Sequence, residues 1–178
     1  EFGENLIYQL KQKHEFIEGG MKPVSKKKFD LVILSEVIEH TNDPKSLINS
    51  ISKLQNKNGL IYITTPNYNS LERKIFKSNY GIFTYPEHLT YFTIKTLDNL
   101  LKQKGYKKIY GYSSNISLFR FLQFLDKKVI KLDANKSSDK VQFVFKKGGL
   151  IYIKYLISYI LRLLNLGNTL YFYYIKDQ

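Results

Sequence analysis

Phe29-Asp30-Leu31-Val32-Ile33-Leu34-Ser35 is the stretch that decides the fold. It is short and almost continuously apolar, the pattern of a strand buried on both faces, as in a parallel sheet. A second such run, Leu60 to Thr65, is closed by Pro66-Asn67. Between the two, Asp43-Pro44 reads as a helix start, with Asp as the N-cap and Pro at the first helical position. Leu47, Ile48, Ile51 and Leu54 then recur at helical spacing, and Asn58-Gly59 is expected to stop the helix. Downstream, Thr93 caps a helix carrying Ile94, Leu97, Leu100 and Leu101, which Gly105 ends. Tyr106 to Tyr112 is the next strand, and the segment from Tyr68 to Tyr91 reads as irregular and aromatic.

The flanks are expected to add further elements. Asn5 to Lys13 is a short helix, and His14 to Glu18 a short strand ended by Gly19-Gly20. Ser117 to Leu132 is a helix, Asn135 to Lys140 a polar loop and Val141 to Phe145 an extended piece. Leu150 to Leu166 is a helix and Leu170 to Ile175 the last strand. Alternating strands and helices give an α/β fold with a parallel sheet and right-handed crossovers. The chain is expected to form one domain over 1–178, with 113–166 as a helical cover inserted before the last strand.

Composition narrows the chemistry. Hydrophobic residues make up 43% of 178 residues, enough for a real core. With no cysteine, a disulfide scaffold, a thiolate zinc site and a cysteine nucleophile are excluded. The net charge of +13 favours anionic partners in principle. The lysines, however, sit in short scattered runs (Lys26 to Lys28, Lys107-Lys108, Lys127-Lys128, Lys146-Lys147), the pattern of a solvated surface, so no nucleic-acid partner is expected. The start, Glu1-Phe2-Gly3-Glu4, shows no signal-peptide pattern, and no apolar run reaches the ~18 residues of a membrane span. A cytoplasmic place is expected. Leu150 to Leu166, broken by Lys154 and Arg162, is a basic apolar helix that either covers the sheet or touches the inner membrane face peripherally.

Glu36-Val37-Ile38-Glu39-His40 carries the most chemistry. It follows the carboxyl end of a strand, where open α/β sheets bind ligands. In a helical turn, positions 36, 39 and 40 share a face. Two carboxylates and an imidazole there can hold a divalent ion; the alternative is that Glu39 and His40 shape the loop. His88, in Pro86-Glu87-His88-Leu89, is a candidate general base, since a neutral imidazole suits proton removal near pH 7. The alternative is a structural histidine packed among Tyr85, Tyr91 and Phe92.

Taken in order, these stretches resemble one family. Phe29 to His40 looks like the fourth strand and following turn of class I S-adenosylmethionine-dependent methyltransferases. Asn58 to Asn67 looks like their fifth strand. Tyr85 to Tyr106 is similar to the segment before and through the next helix in O-methyltransferases of the ubiquinone-biosynthesis type. Leu166-Gly167-Asn168 and the aromatic strand after it resemble the closing seventh strand.

The resemblance implies a Rossmann-like sheet and methyl transfer from S-adenosylmethionine to a hydroxyl of a small molecule, quinol, lipid or surface sugar. Leu34 and Ser35 stand where relatives hold the methionine part of the cofactor, Glu36 beside them is a further cofactor-binding candidate, and Gly19, Gly20 and Met21 stand where relatives pass the adenine. Glu36, Glu39 and His40 match residues regarded as magnesium ligands in the ubiquinone type, and His40 joins His88 as a catalytic candidate. The chain departs from the family in lacking a G-x-G-x-G loop, whose glycines let backbone approach the cofactor. Its first strands are therefore expected to be missing, leaving a fragment or a gene truncated at its start. The rival readings are a non-catalytic methyltransferase-like subunit, a membrane-associated binding protein and a nucleic-acid methyltransferase. Thr65-Pro66-Asn67-Tyr68 speaks against the last, because amino-methyltransferases acting on adenine carry two consecutive prolines there.

Overall fold

The computed structural model describes residues 28–117 and 150–177. The expected helix at 5–13, the strand at 14–18, Gly19, Gly20, Met21 and nearly all of 117–145 lie outside the described residues. Four strands form one sheet in the order β1-β2-β4-β3: β1 Phe29–Ser35, β2 Gln55–Pro66, β3 Tyr106–Ser114 and β4 Thr169–Lys176. Four α-helices accompany them: α1 Pro44–Leu54, α2 Leu71–Phe76, α3 Ile94–Lys102 and α4 Leu150–Leu163.

The first expectation holds. β1 and β2 are adjacent and parallel, with Leu31 opposite Leu60 and Ser35 opposite Thr64, and α1 joins them. Asp43 caps α1 through the Ser46 amide at 3.0 Å. Leu47, Ile48 and Ile51 of α1 and Leu97, Leu100 and Leu101 of α3 bury against one sheet face, which supplies Leu34, Ile61, Ile63, Leu170, Phe172 and Tyr174. This is the core. Thr93 caps α3 with a reciprocal pair to Thr96. Thr93→Ala should lower stability by about 1 kcal/mol, read as a shift of the urea midpoint without a change of slope.

Several boundaries differ from expectation, each for a local reason. α1 stops at Leu54, not at Asn58-Gly59, because the buried Gln55 already begins β2 and its side-chain amide donates to the Leu60 carbonyl at 2.7 Å. Asn58 instead takes a left-handed conformation (φ 60°) inside a bulge between the Phe29–Gln55 and Leu31–Leu60 pairs. Tyr68 to Tyr91 is not wholly irregular: Ser70 caps the short helix α2 through the Arg73 amide. β3 continues to Ser114, past the expected start of the helical insertion, and α4 ends at Leu163 instead of Leu166.

β1 is not buried on both faces. Leu34 points into the core, but Phe29, Leu31 and Ile33 are 47%, 51% and 59% exposed. Their apolar character records a face made for covering, which the described helices α1 and α3 do not reach. The sheet is also not wholly parallel, since β4 runs antiparallel to both neighbours. The turn after α4 lies at the carboxyl ends of β2 and β3, where Asn67 donates its amide to the Asn168 carbonyl (2.7 Å) and Gly167 donates to Ser113 Oγ (3.0 Å). A strand that starts there must run back down the sheet.

Candidate active site

The site grows from the carboxyl end of β1. Ser35 is the last strand residue, and Glu36 turns the chain out with φ 51°, its amide held by the Thr64 carbonyl (3.0 Å) and hydroxyl (3.1 Å) of β2. The left-handed turn throws residues 38–40 into one turn of 3-10 helix. Ile38 is buried and anchors this turn in the core, and Glu39 follows it inward with 1% exposure. Its Oε2 accepts from the Thr65 hydroxyl at 2.9 Å. Its Oε1 is buried with no hydrogen bond.

A second segment, distant in sequence, is laced onto this turn. The Glu39 carbonyl accepts from the amides of Leu89 (2.8 Å) and Thr90 (3.0 Å), and the Thr90 hydroxyl donates to the Thr41 carbonyl at 3.3 Å. These bonds bring His88 against His40, with ring centroids 4.8 Å apart at 62°. His40 Nδ1 meets the Glu87 carbonyl at 2.7 Å, and His88 Nδ1 meets the Ile82 carbonyl at 2.8 Å. A carbonyl only accepts, so both Nδ1 atoms carry a proton, and in a neutral ring the lone pair is on Nε2. One donor atom from each of Glu39, His40 and His88 comes within 4.8 Å of the other two.

The predicted residues divide accordingly. Glu39 and His40 come together as expected, and His88 joins them. Glu36 stands beside this group, not within it. Desolvation at the strand end holds its carboxyl above the ordinary glutamate range; the Glu39 charge adds to that and the Thr64 hydroxyl opposes it. Leu34 buries its side chain in the core, so only its backbone is offered to a ligand. Ser35 and Glu36 are exposed at the strand end, and Ser35 Oγ lies 3.3 Å from Thr64 Oγ1. The magnesium set expected from the resemblance is Glu36, Glu39 and His40; the donor atoms that lie within 4.8 Å of one another are those of Glu39, His40 and His88, a nitrogen-rich set, whereas magnesium prefers an all-oxygen octahedron.

Of the three aromatics expected around His88, Tyr91 meets its ring edge-on at 6.4 Å between centroids and donates its hydroxyl to the His88 carbonyl at 3.3 Å, whereas Tyr85 is 85% exposed and Phe92 belongs to the core. Thr65 and Asn67 carry weight that the sequence did not show. Thr65 orients Glu39, and Asn67 Nδ2 donates to the Gly167 carbonyl at 2.8 Å, tying the end of β2 to the turn before β4. Thr65-Pro66-Asn67 was legible as a strand end, but the partners of its side chains are far away in sequence. Open cavities of about 390 and 530 Å³ lie elsewhere. The first, lined by Asp98, Lys102, Tyr106 and Lys108, is at the opposite end of the sheet, and neither touches the cluster.

Comparison with known proteins agrees with this architecture. Residues 5–110, more than half of the chain, match the methyltransferase domain family. The chain belongs to that family. A ubiquinone biosynthesis O-methyltransferase of Pelagibacter ubique is 48% identical over 42 residues, 24% of this chain and 18% of that relative. Among solved structures, a SAM-dependent methyltransferase from Archaeoglobus fulgidus superposes with a TM-score of 0.57 at 22% identity, over 97% of this chain and 72% of that one. Magnesium protoporphyrin IX methyltransferase from Synechocystis PCC 6803, solved with bound SAH, gives 0.54 at 10% identity, over 98% and 61%. The chain thus spans a small part of its curated relative and roughly two thirds of these structures. The fold of this methyltransferase chain is the Rossmann-like fold of SAM-dependent methyltransferases. No helix among the described residues is long and apolar enough to cross a membrane.

Proposed function

We propose that this chain carries the acceptor half of an S-adenosylmethionine-dependent methyltransferase acting on a hydroxyl of a small molecule, quinol, lipid or surface sugar. The observation that carries the reading is the Glu39–His40–His88 group at the carboxyl end of β1, next to Ser35 and Glu36. The kinship with a ubiquinone biosynthesis O-methyltransferase supports a hydroxyl acceptor. Exposed Tyr152, Tyr155, Leu156 and Tyr159 on α4 support an apolar or lipid-linked one, met at a membrane face.

Bound S-adenosylmethionine supplies an electrophilic methyl group on a sulfonium. The acceptor oxygen forms the new O–C bond as the C–S bond breaks, the electron pair stays on sulfur, and the acceptor proton is lost to solvent. The protein aligns oxygen, carbon and sulfur, and it lowers the cost of making the oxyanion. Ser35, Glu36 and the Leu34 backbone hold one side of the cofactor. The Glu39–His40–His88 group, with Glu39 buried, His88 half-buried and His40 exposed, stands on the acceptor side.

Two measurements test this. Because the chain has no G-x-G-x-G, calorimetry on residues 1–178 should show weak or no binding of S-adenosylmethionine; low-micromolar affinity would contradict that expectation. The protein as its gene encodes it, with whatever precedes Glu1, should transfer labelled methyl to catechol or quinol acceptors. Labelling confined to amine acceptors, or none with any acceptor despite cofactor binding, would overturn the hydroxyl reading.

A further inference from the structure

We propose that Arg73 selects acceptors carrying an anionic group, a carboxylate or a phosphate, at the far end of an aromatic platform that begins at His88. The rings come from the residues after β2 (Tyr68) and from the segment between α2 and α3 (Phe83, His88 and Tyr91). His88 meets Tyr91 edge-on at 6.4 Å between centroids. Tyr91 meets Phe83 at 5.2 Å and Tyr68 at 6.3 Å, and the Arg73 guanidinium lies over the Tyr68 ring at 4.4 Å. Phe83 and Tyr68 are 38% and 39% exposed, so ring surface is open to solvent between the histidine and the cation. Such surface offers an acceptor ring offset or edge-on contact.

The platform is held in place. Tyr80 is buried, its ring meets Phe83 edge-on at 5.5 Å, and its hydroxyl accepts from Ser70 Oγ at 3.0 Å. The Tyr68 amide donates to the Phe92 carbonyl at 2.8 Å. Arg73 is half-buried, and its Nε is buried without a hydrogen bond. Among the described residues its side chain makes no hydrogen bond and no ion pair. The adjacent Glu72 accepts from the Ser117 amide and does not pair with it. An aromatic face attracts a guanidinium but leaves its in-plane N–H donors unused. A half-buried guanidinium in this state suits a carboxylate or phosphate, which takes two parallel N–H···O bonds.

This arrangement narrows the acceptor. The path from His88 to Arg73 crosses two rings, so the anionic group stands on an arm of the acceptor and not beside the reacting hydroxyl. A neutral quinol gives the guanidinium nothing to bind. An aromatic acid satisfies it while its ring lies on Phe83 and Tyr68. Lys74 and Lys77 also lie nearby in sequence, but both are exposed, and water and salt screen them. What happens at the histidine end rests on the proposed hydroxyl methylation; recognition of the acid does not.

The experiment compares two catechols that differ by a single charge, 3,4-dihydroxycinnamate and its methyl ester. The protein as its gene encodes it is titrated with each by calorimetry, and labelled methyl transfer to each is measured separately. The acid should bind about tenfold more tightly than the ester. Arg73→Ala should bring acid and ester level. Arg73→Lys should keep part of the preference, and it serves if the alanine variant fails to fold. Lys74→Ala should keep the preference in full, which separates Arg73 from the general positive charge. Phe83→Ala should weaken both compounds alike, by roughly three- to tenfold. Binding of neither compound, equal binding of both, or a preference that survives Arg73→Ala would overturn the proposal. Transfer to acid and ester without preference would leave hydroxyl methylation standing and remove Arg73 from recognition. Selective binding of the acid with no transfer to either would do the reverse.

Discussion

His88→Ala is expected to lower kcat by about 100-fold or more while leaving the Kd for S-adenosylmethionine within about twofold. In the proposed function the residue belongs to the acceptor side; its ring meets His40, and its Nδ1 is fixed by the Ile82 carbonyl. Ser35 and Glu36, the proposed cofactor side, are held by Thr64. An interaction that activates the acceptor oxygen acts in the transition state, so its loss appears in turnover and not in cofactor binding. The backbone lacing through Glu39, Leu89 and Thr90 remains, which keeps the segment in place after truncation. The measurement needs the protein as its gene encodes it, a hydroxyl acceptor and single-turnover kinetics. A loss of ~10-fold or less would mean that His88 only shapes the loop. A parallel loss of cofactor affinity would mean that the whole turn had moved.

Gly167→Ala should destabilise the fold by about 3 kcal/mol, at the upper end for overpacking. A Cβ at this position would lie 2.4 Å from the backbone nitrogen and Cα of Ser114. Backbone cannot rotate away as a side chain can, so β3 and β4 must separate locally. That separation strains two bonds at once: the Gly167 amide to Ser113 Oγ at 3.0 Å, and the Asn67 amide to the Gly167 carbonyl at 2.8 Å. Thermal unfolding should fall by roughly 6–12 °C. Gly105→Ala is the internal control. Gly105 has φ 77°, but its added Cβ meets only the Asp177 carbonyl at 3.7 Å. It should lose about 1–2 kcal/mol from backbone conformation alone. Equal losses in the two variants would show that the approach of Gly167 to Ser114 is loose.

The sequence by itself determined the α/β class, the pairing of Phe29–Ser35 with the strand ending at Pro66, the cap at Asp43 and the cap at Thr93. These are local signals: apolar runs fix strands, and a polar side chain before a periodic run fixes a helix start. The sequence also marked Glu36, Glu39, His40 and His88 as site candidates, the first three from the turn after an apolar run and the last from Pro86-Glu87-His88-Leu89. Tertiary structure alone decided the rest. β1 has one open face, which an apolar run cannot report because it records the residues and not what covers them. Asn58 bends a strand instead of ending a helix because Gln55 finds Leu60 and Tyr106 as partners. Glu39 comes within reach of His40 and also of His88, a neighbour that the one-face helical reading of positions 36, 39 and 40 did not include. The positive φ of Glu36 turns the chain before the 3-10 turn begins, and the Leu89 and Thr90 amides bring in a histidine 48 positions beyond His40 in the numbering. Spacing along one element reports only neighbours on that element. A site built by lacing two distant loops becomes visible only when their backbone hydrogen bonds are.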